Sequence, residues 1–269
     1  MTGESAKDPG TRRVLHHDEQ VMGTVVTFDL YDEGEPSAGV LSLLREAIDV
    51  LHQADDVFST YKYDSPLSRL RRGDVTVERC PSDVGQVLEL CKVARNISEG
   101  WFDPWSLPGG VDPTGYVKGW AAQRSLDVLR RSGIRGAIVN AAGDTASFGG
   151  PKPGVPFRIG IVDPAATQHL ACVVESPGAV ATSGTYERGC HLVDPHTRRP
   201  TSRAASATVT GTELGLADAI ATALAVAGVQ ALALIEAIVD FEALIIDYDG
   251  TFHTTTGFPA VRTSSKTSS

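Results

Sequence analysis

Apolar positions fall along the chain in two kinds of pattern, one suited to strands and one to helices. From Val21 to Tyr31 the residues are β-branched and apolar with a glycine near the start, which predicts a strand. In Leu41 to Val57, by contrast, Leu44, Ala47, Ile48, Leu51 and Ala54 recur at helical spacing and predict an amphipathic helix. A second helix is predicted over Ser82 to Ser98, with Ser82 as its cap and Gly100 as its stop, and a third from Tyr116 to Ser132, ending at Gly133. Strands then cluster at Ala137 to Asn140, Phe157 to Val162, Ala171 to Val174 and Ala205 to Thr210. An alanine-rich helix is predicted over Leu216 to Ala227, another over Val229 to Val239, and a last strand over Ala243 to Tyr248. Helices and strands mix without strict alternation, so the expected class is α+β and not a doubly wound sheet. There is no short internal repeat.

The ends break this pattern. Residues 1–19 are polar and charged and residues 261–269 are almost all Thr, Ser and Lys, so both are expected to be disordered tails around a folded part at 20–260. Of the 269 residues, 42% are hydrophobic, enough to bury a sizeable core. The formal net charge of −9 argues against a nucleic-acid partner or an anionic lipid surface. Cys80, Cys91, Cys172 and Cys190 are scattered, with no CxxC or Cys/His pattern, and read as buried thiols, neither a zinc site nor a disulfide framework. Arg12 and Arg13 precede a polar stretch where an export signal needs an apolar one, and no apolar run reaches the length of a membrane span. The expectation is a cytoplasmic protein without a membrane anchor.

Four segments carry candidate chemistry. Gly100-Trp101-Phe102-Asp103-Pro104 is followed by Asp112-Pro113-Thr114-Gly115-Tyr116-Val117-Lys118-Gly119. Glycines, an acid and a lysine at the mouth of a helix can hold phosphate oxygens, or can simply cap that helix. Asn140-Ala141-Ala142-Gly143-Asp144 directly follows a strand and reads either as a close approach to a ligand or as a hairpin turn. Val180 to Tyr186, containing Ser183 and Gly184, leads into His191-Leu192-Val193-Asp194-Pro195, where His191 is either a general base or a structural histidine. Within the apolar helix, Asp218 and Thr222 stand at i and i+4, so a carboxylate and a hydroxyl share one face, as a hard cation such as Mg²⁺ requires. The plainer reading of Asp218 is an acid favoured near a helix start, although a buried carboxylate among alanines needs a compensating partner.

Order and spacing make these segments specific. With Met22-Gly23-Thr24 and Phe58-Ser59-Thr60-Tyr61 ahead of them, they form a series that resembles the ApbE family of FAD:protein FMN transferases, over residues 21–250. The resemblance implies an α+β, duplicated T-fold-like single catalytic domain that uses FAD as substrate and Mg²⁺ as cofactor. It also implies a partner flavoprotein bearing the acceptor Thr or Ser. Asp218, Thr222 and the carbonyl of Gly115 match the positions that ligate magnesium. Met22, Gly23, Thr24, Ser59, Tyr61, Asp112, Gly115, Lys118, Gly143, Asp144, Ser183 and Gly184 fall in segments that line the FAD cleft. His191 matches the histidine that assists transfer, with Asp194 as an alternative base and Lys118 steadying the phosphates. If water replaces the acceptor, the same site gives a magnesium-dependent FAD pyrophosphatase; a non-catalytic flavin binder is the reading from another class. The sequence departs from the family pattern at four points: only residues 105–111 separate Pro104 from Asp112 where the family has a much longer segment, Thr114 and Ala142 replace glycines, and Arg198 stands where a glycine is usual.

Overall fold

The computed structural model describes residues 12–184 and 192–261. Its frame is an eight-stranded sheet in the order β1-β2-β3-β4-β7-β10-β11-β12. These strands are Arg12–Val21, Thr24–Asp32, Gly136–Ala141, Asp144–Gly149, Ala179–Gly184, Ser206–Gly211, Glu242–Ile246 and Phe252–Thr254 respectively. Every pairing within it is antiparallel. Each half follows one plan: a pair of strands, a helical crossover and a second pair. In the first half the crossover is α1 (Ala38–Phe58), α2 (Pro66–Arg71), α3 (Ser82–Ile97) and α4 (Thr114–Arg130); in the second it is α5 (Leu214–Ala227) with the short α6 (Leu232–Ile235). The class is α+β, as the mixed pattern predicts.

Period-2 alternation sorts the side chains of the second half onto two faces. Ala179, Ala181, Ala207, Val209, Ala243 and Ile245 face the main core beneath α4 and α5. Val180, Leu244 and Ile246 face the opposite way and meet Ile161 and Val174. Those last two belong to β5 (Arg158–Val162) and β6 (Leu170–Glu175), which form a small sheet with β13 (Ala260–Val261) in the order β13-β6-β5. Helix α5 is therefore buried along nearly its whole length, and its alanines allow close approach on every side.

Close approach is tightest where α4 crosses α5. A Cβ on Gly119 would lie 2.5 Å from the Leu214 carbonyl oxygen, and one on Gly215 would lie 2.7 Å from the Tyr116 ring. Only glycines fit this crossing, and it brings the start of α4 beside the middle of α5.

Several expectations need correction. Residues 12–19 are not a tail but most of β1, which pairs with β2 in register Val21↔Thr24. Met22 (φ 54°) and Gly23 (φ 71°) form the two-residue turn, both in the left-handed region that this tight hairpin requires. The helix predicted over Val229 to Val239 is a single 3₁₀ turn at Val229–Ala231 followed by α6. Tighter i to i+3 bonds, such as Ile238 N–H to the Ile235 carbonyl at 2.9 Å, end it early. This lets Phe241 swing back into the core against Gly211, where a Cβ would meet its ring at 2.4 Å. Central strands β4 and β7 are not among the predicted strands, because their residues are mostly small or hydroxylated and give little apolar alternation. None of the described helices is long and apolar enough to cross a membrane.

Candidate functional site

At one end of the sheet, the β1–β2 turn, the β3–β4 turn, the last residues of β7 and the start of α4 surround a cleft of about 910 Å³. Its walls differ in chemistry. Phe58, Tyr61, Trp101, Phe102, Leu107 and Pro108 give the lining apolar and aromatic surface. Lys118, Ser183, Asp218 and Thr222 give it a polar cluster.

The polar wall is assembled from four elements. Lys118, on the first turns of α4, forms an ion pair with Asp144 at the start of β4 and lies 3.6 Å from Asp218 on α5. The Asp144 and Asp218 side chains are only 1% and 6% exposed. Their burial is tolerated because the ammonium lies against both, and Thr182 N–H donates to the other oxygen of Asp144 at 2.8 Å. Ser183 of β7 shares a hydrogen bond with Thr222 of α5 at 3.2 Å. Gly115 completes the group: a Cβ there would stand 3.8 Å from the Thr222 hydroxyl. Among the described residues no cluster of three or more His, Cys, Asp or Glu could hold a metal ion. The oxygens that do gather come from carboxylates and hydroxyls, a donor set suited to a hard cation and not to zinc.

The start of α4 has its own fixings. Asp112 accepts from Thr114 N–H at 3.1 Å and from its hydroxyl at 2.7 Å. Thr114 thus opens the helix in ordinary helical backbone, and the loss of glycine at this position costs no strain. Glu213, the cap of α5, accepts from Gly215 N–H at 2.9 Å and Leu216 N–H at 2.6 Å, and Tyr116 donates its hydroxyl to the same carboxylate at 3.1 Å. Burial, with Glu213 beside it, pushes the Tyr116 hydroxyl pKa well up and keeps it a donor.

Of the residues named from sequence, Met22, Gly23, Ser59, Tyr61, Asp112, Gly115, Lys118, Ser183, Gly184, Asp218 and Thr222 all border this one cleft. Asp144 stands behind Lys118. Thr24 and Gly143 do not border the cleft: they sit in the β1–β2 and β3–β4 turn regions, and the Gly143 N–H donates to the Asn140 side chain at 2.8 Å. His191 lies outside the described residues. Asp194 belongs to a small hairpin of β8 (Val193–Asp194) and β9 (Arg199–Pro200). Its carboxylate accepts from His196 N–H at 2.8 Å and Thr197 N–H at 3.2 Å, with Arg203 at 3.5 Å. Burial alone would raise its pKa, but these backbone bonds and His196 outweigh that and hold it below the usual carboxylate value. Such a group is a weak proton acceptor that organises its turn.

Trp101 escaped the sequence reading as a cleft residue. Its ring packs edge-on against His196, with centroids 4.5 Å apart, and carries the Arg203 guanidinium 5.1 Å above it. No local spacing signals this, since the partners, His196 and Arg203, lie far away in the sequence.

Comparison with known proteins agrees with the geometry. The ApbE family pattern matches residues 22–109 and 107–245. The chain belongs to the ApbE family. The two matched stretches meet inside the shortened 105–111 segment. Among curated ApbE relatives, FAD:protein FMN transferase from Vibrio cholerae is 35% identical over 276 aligned positions, covering 80% of this chain and 81% of its own. The protein of the same name from Rhodobacter capsulatus is 35% identical and covers 72% of this chain but 39% of its own. The fold matches that of the ApbE flavin transferase structure from Vibrio cholerae with a TM-score of 0.78, at 24% identity and over 91% and 97% of the two chains. The ApbE structure from Thermotoga maritima superposes with a TM-score of 0.77 at 19% identity, over 90% and 97%.

Proposed function

We propose that this chain is an FAD:protein FMN transferase that attaches FMN through a phosphodiester to a Thr or Ser hydroxyl of a partner flavoprotein. The observation that carries the proposal is the continuity of the cleft, which joins an aromatic wall suited to flavin or adenine rings to an oxygen and ammonium cluster suited to a pyrophosphate.

In this reading the acceptor oxygen bonds to the FMN-side phosphorus, the bond from that phosphorus to the bridging oxygen breaks, and AMP leaves. Lys118, braced by Asp144, presents a fixed positive charge to the phosphate oxygens. His191, by resemblance, takes the acceptor proton. Asp218, Thr222 and the Gly115 carbonyl are the residues that would hold Mg²⁺, which when bound neutralises pyrophosphate charge. The buried oxygen donors described above fit such an ion.

The test is to incubate the protein with FAD, Mg²⁺ and extract from its own host, then to look for covalent flavin fluorescence on a denaturing gel and for AMP. A fluorescent band that disappears with chelator or in Asp218→Ala supports transfer. AMP and free FMN without a band would make the protein a hydrolase, and retained flavin with no product would make it a binder.

A further inference from the structure

The short segment at 105–111 leaves the cleft with little chain to build its outer wall, yet Leu107 and Pro108 from that segment still border the cleft. A loop of this kind needs something to fix it. Its base is closed by Asp112 N–H donating to the Pro104 carbonyl at 3.0 Å. Its tip is held by a single side chain from another element, Arg71, the last residue of α2.

The Arg71 guanidinium donates in three directions: Nη2 to the Pro108 carbonyl at 3.1 Å, Nε to the Gly109 carbonyl at 3.1 Å and Nη1 to Asp112 Oδ2 at 3.0 Å. Its side chain is 16% exposed and that of Asp112 20%, so the pair is largely shielded from water. The loop is shaped to this arginine. Gly109 and Gly110 have φ of 82° and 102°, and a Cβ on Gly109 would meet Arg71 Nη2 at 2.8 Å. On its other oxygen Asp112 holds Thr114, and the next residue, Gly115, borders the cleft beside Thr222. Arg71 therefore connects the apolar rim and the start of α4 through one rigid fork.

We propose that Arg71 is a positioning residue for FAD, fixing the 105–111 loop as a cleft wall and setting the Asp112 carboxylate that anchors the start of α4. It acts through the loop and Asp112 and does not border the cleft itself. The inference rests on the FAD-dependent reading given above. Planarity is essential to it, because a lysine ammonium cannot reach two carbonyls and a carboxylate in one plane.

The experiment measures FAD affinity by flavin fluorescence, with Mg²⁺ present, for the full chain and for Arg71→Lys, Arg71→Met and Arg72→Met, alongside each thermal midpoint. Arg72 is the control: it bonds to Asp74 and the Tyr63 carbonyl and touches none of the loop. The expected result is an affinity loss of about tenfold or more in both Arg71 variants, equivalent to about 1.4 kcal/mol, with Arg72→Met close to the parent. Faster proteolysis within 105–111 in Arg71→Lys accompanies it. Full affinity in Arg71→Lys would show that charge alone suffices and overturn the proposal, as would an Arg71→Met protein that melts earlier but binds FAD like the parent. A parent chain that binds no FAD would overturn the functional reading first, and this inference with it.

Discussion

Ala142 and Arg198 occupy left-handed backbone, with φ of 54° and 57°, where a side chain other than glycine is strained. Both are positions at which the sequence departs from a glycine in the family pattern, so the departure and the strain coincide. Ala142→Gly is expected to stabilise the chain by about 1 kcal/mol in urea denaturation, and its lost methyl widens the cleft at the β3–β4 turn. Asp194 gives a different kind of prediction. Its pKa is held low in the folded state, so the stability that it confers over Asp194→Asn is complete above the ordinary carboxylate pKa and is lost as pH falls through the lower folded value. Urea midpoints of the two proteins should differ at pH 7 and converge only below about pH 4. Cys91 is inert by the same physical chemistry: burial pushes its thiol up to about 12, so it should resist alkylation at neutral pH until the chain unfolds.

The site depends on where α4 and α5 touch, and that contact is set by residues with no role in binding. Gly119→Ala places a methyl group against the Leu214 carbonyl and is expected to cost about 1–3 kcal/mol, while moving Gly115 away from Thr222. Thermal melting and the magnesium dependence of FMN transfer should both report it. Glu213→Ala removes both cap bonds of α5 together with the Tyr116 contact, and should cost about 1–2 kcal/mol in chemical denaturation. Sequence disclosed the residues on these helices better than it disclosed their bracing. Lys118, Asp218 and Thr222 stand inside ordered motifs, and the Asp218-Thr222 spacing places both on one helix face. Arg71 and Glu213 act on residues 41 and 97 positions away, Asp112 and Tyr116, and no local pattern encodes such pairs. Strand β1 was missed for a related reason. As an edge strand it is mostly polar, with only Val14, Leu15 and Val21 packing against the core, and its pairing is specified by the Met22-Gly23 turn instead of by apolar alternation.

The two halves of the molecule contribute to one cleft, so ligand binding should stabilise the whole chain. FAD at a hundred times its dissociation constant adds about 2.7 kcal/mol, which for a chain of this size raises the melting midpoint by roughly 5–10 °C. On the magnesium site proposed above, a chelator should remove part of that shift, and Asp218→Asn should lack that part from the outset. The interleaved plan also governs when the protein can begin to work during its synthesis. Gly115 and Lys118 emerge from the ribosome long before Asp218 and Thr222, and the strand beside β10 in the sheet, β11, follows later still. A growing chain therefore lacks the complete cleft through most of its translation. On the proposed function, ribosome-bound intermediates stalled before residue 214 should neither capture FAD nor release AMP, and flavin handling should begin only once the second half of the sheet has paired with the first.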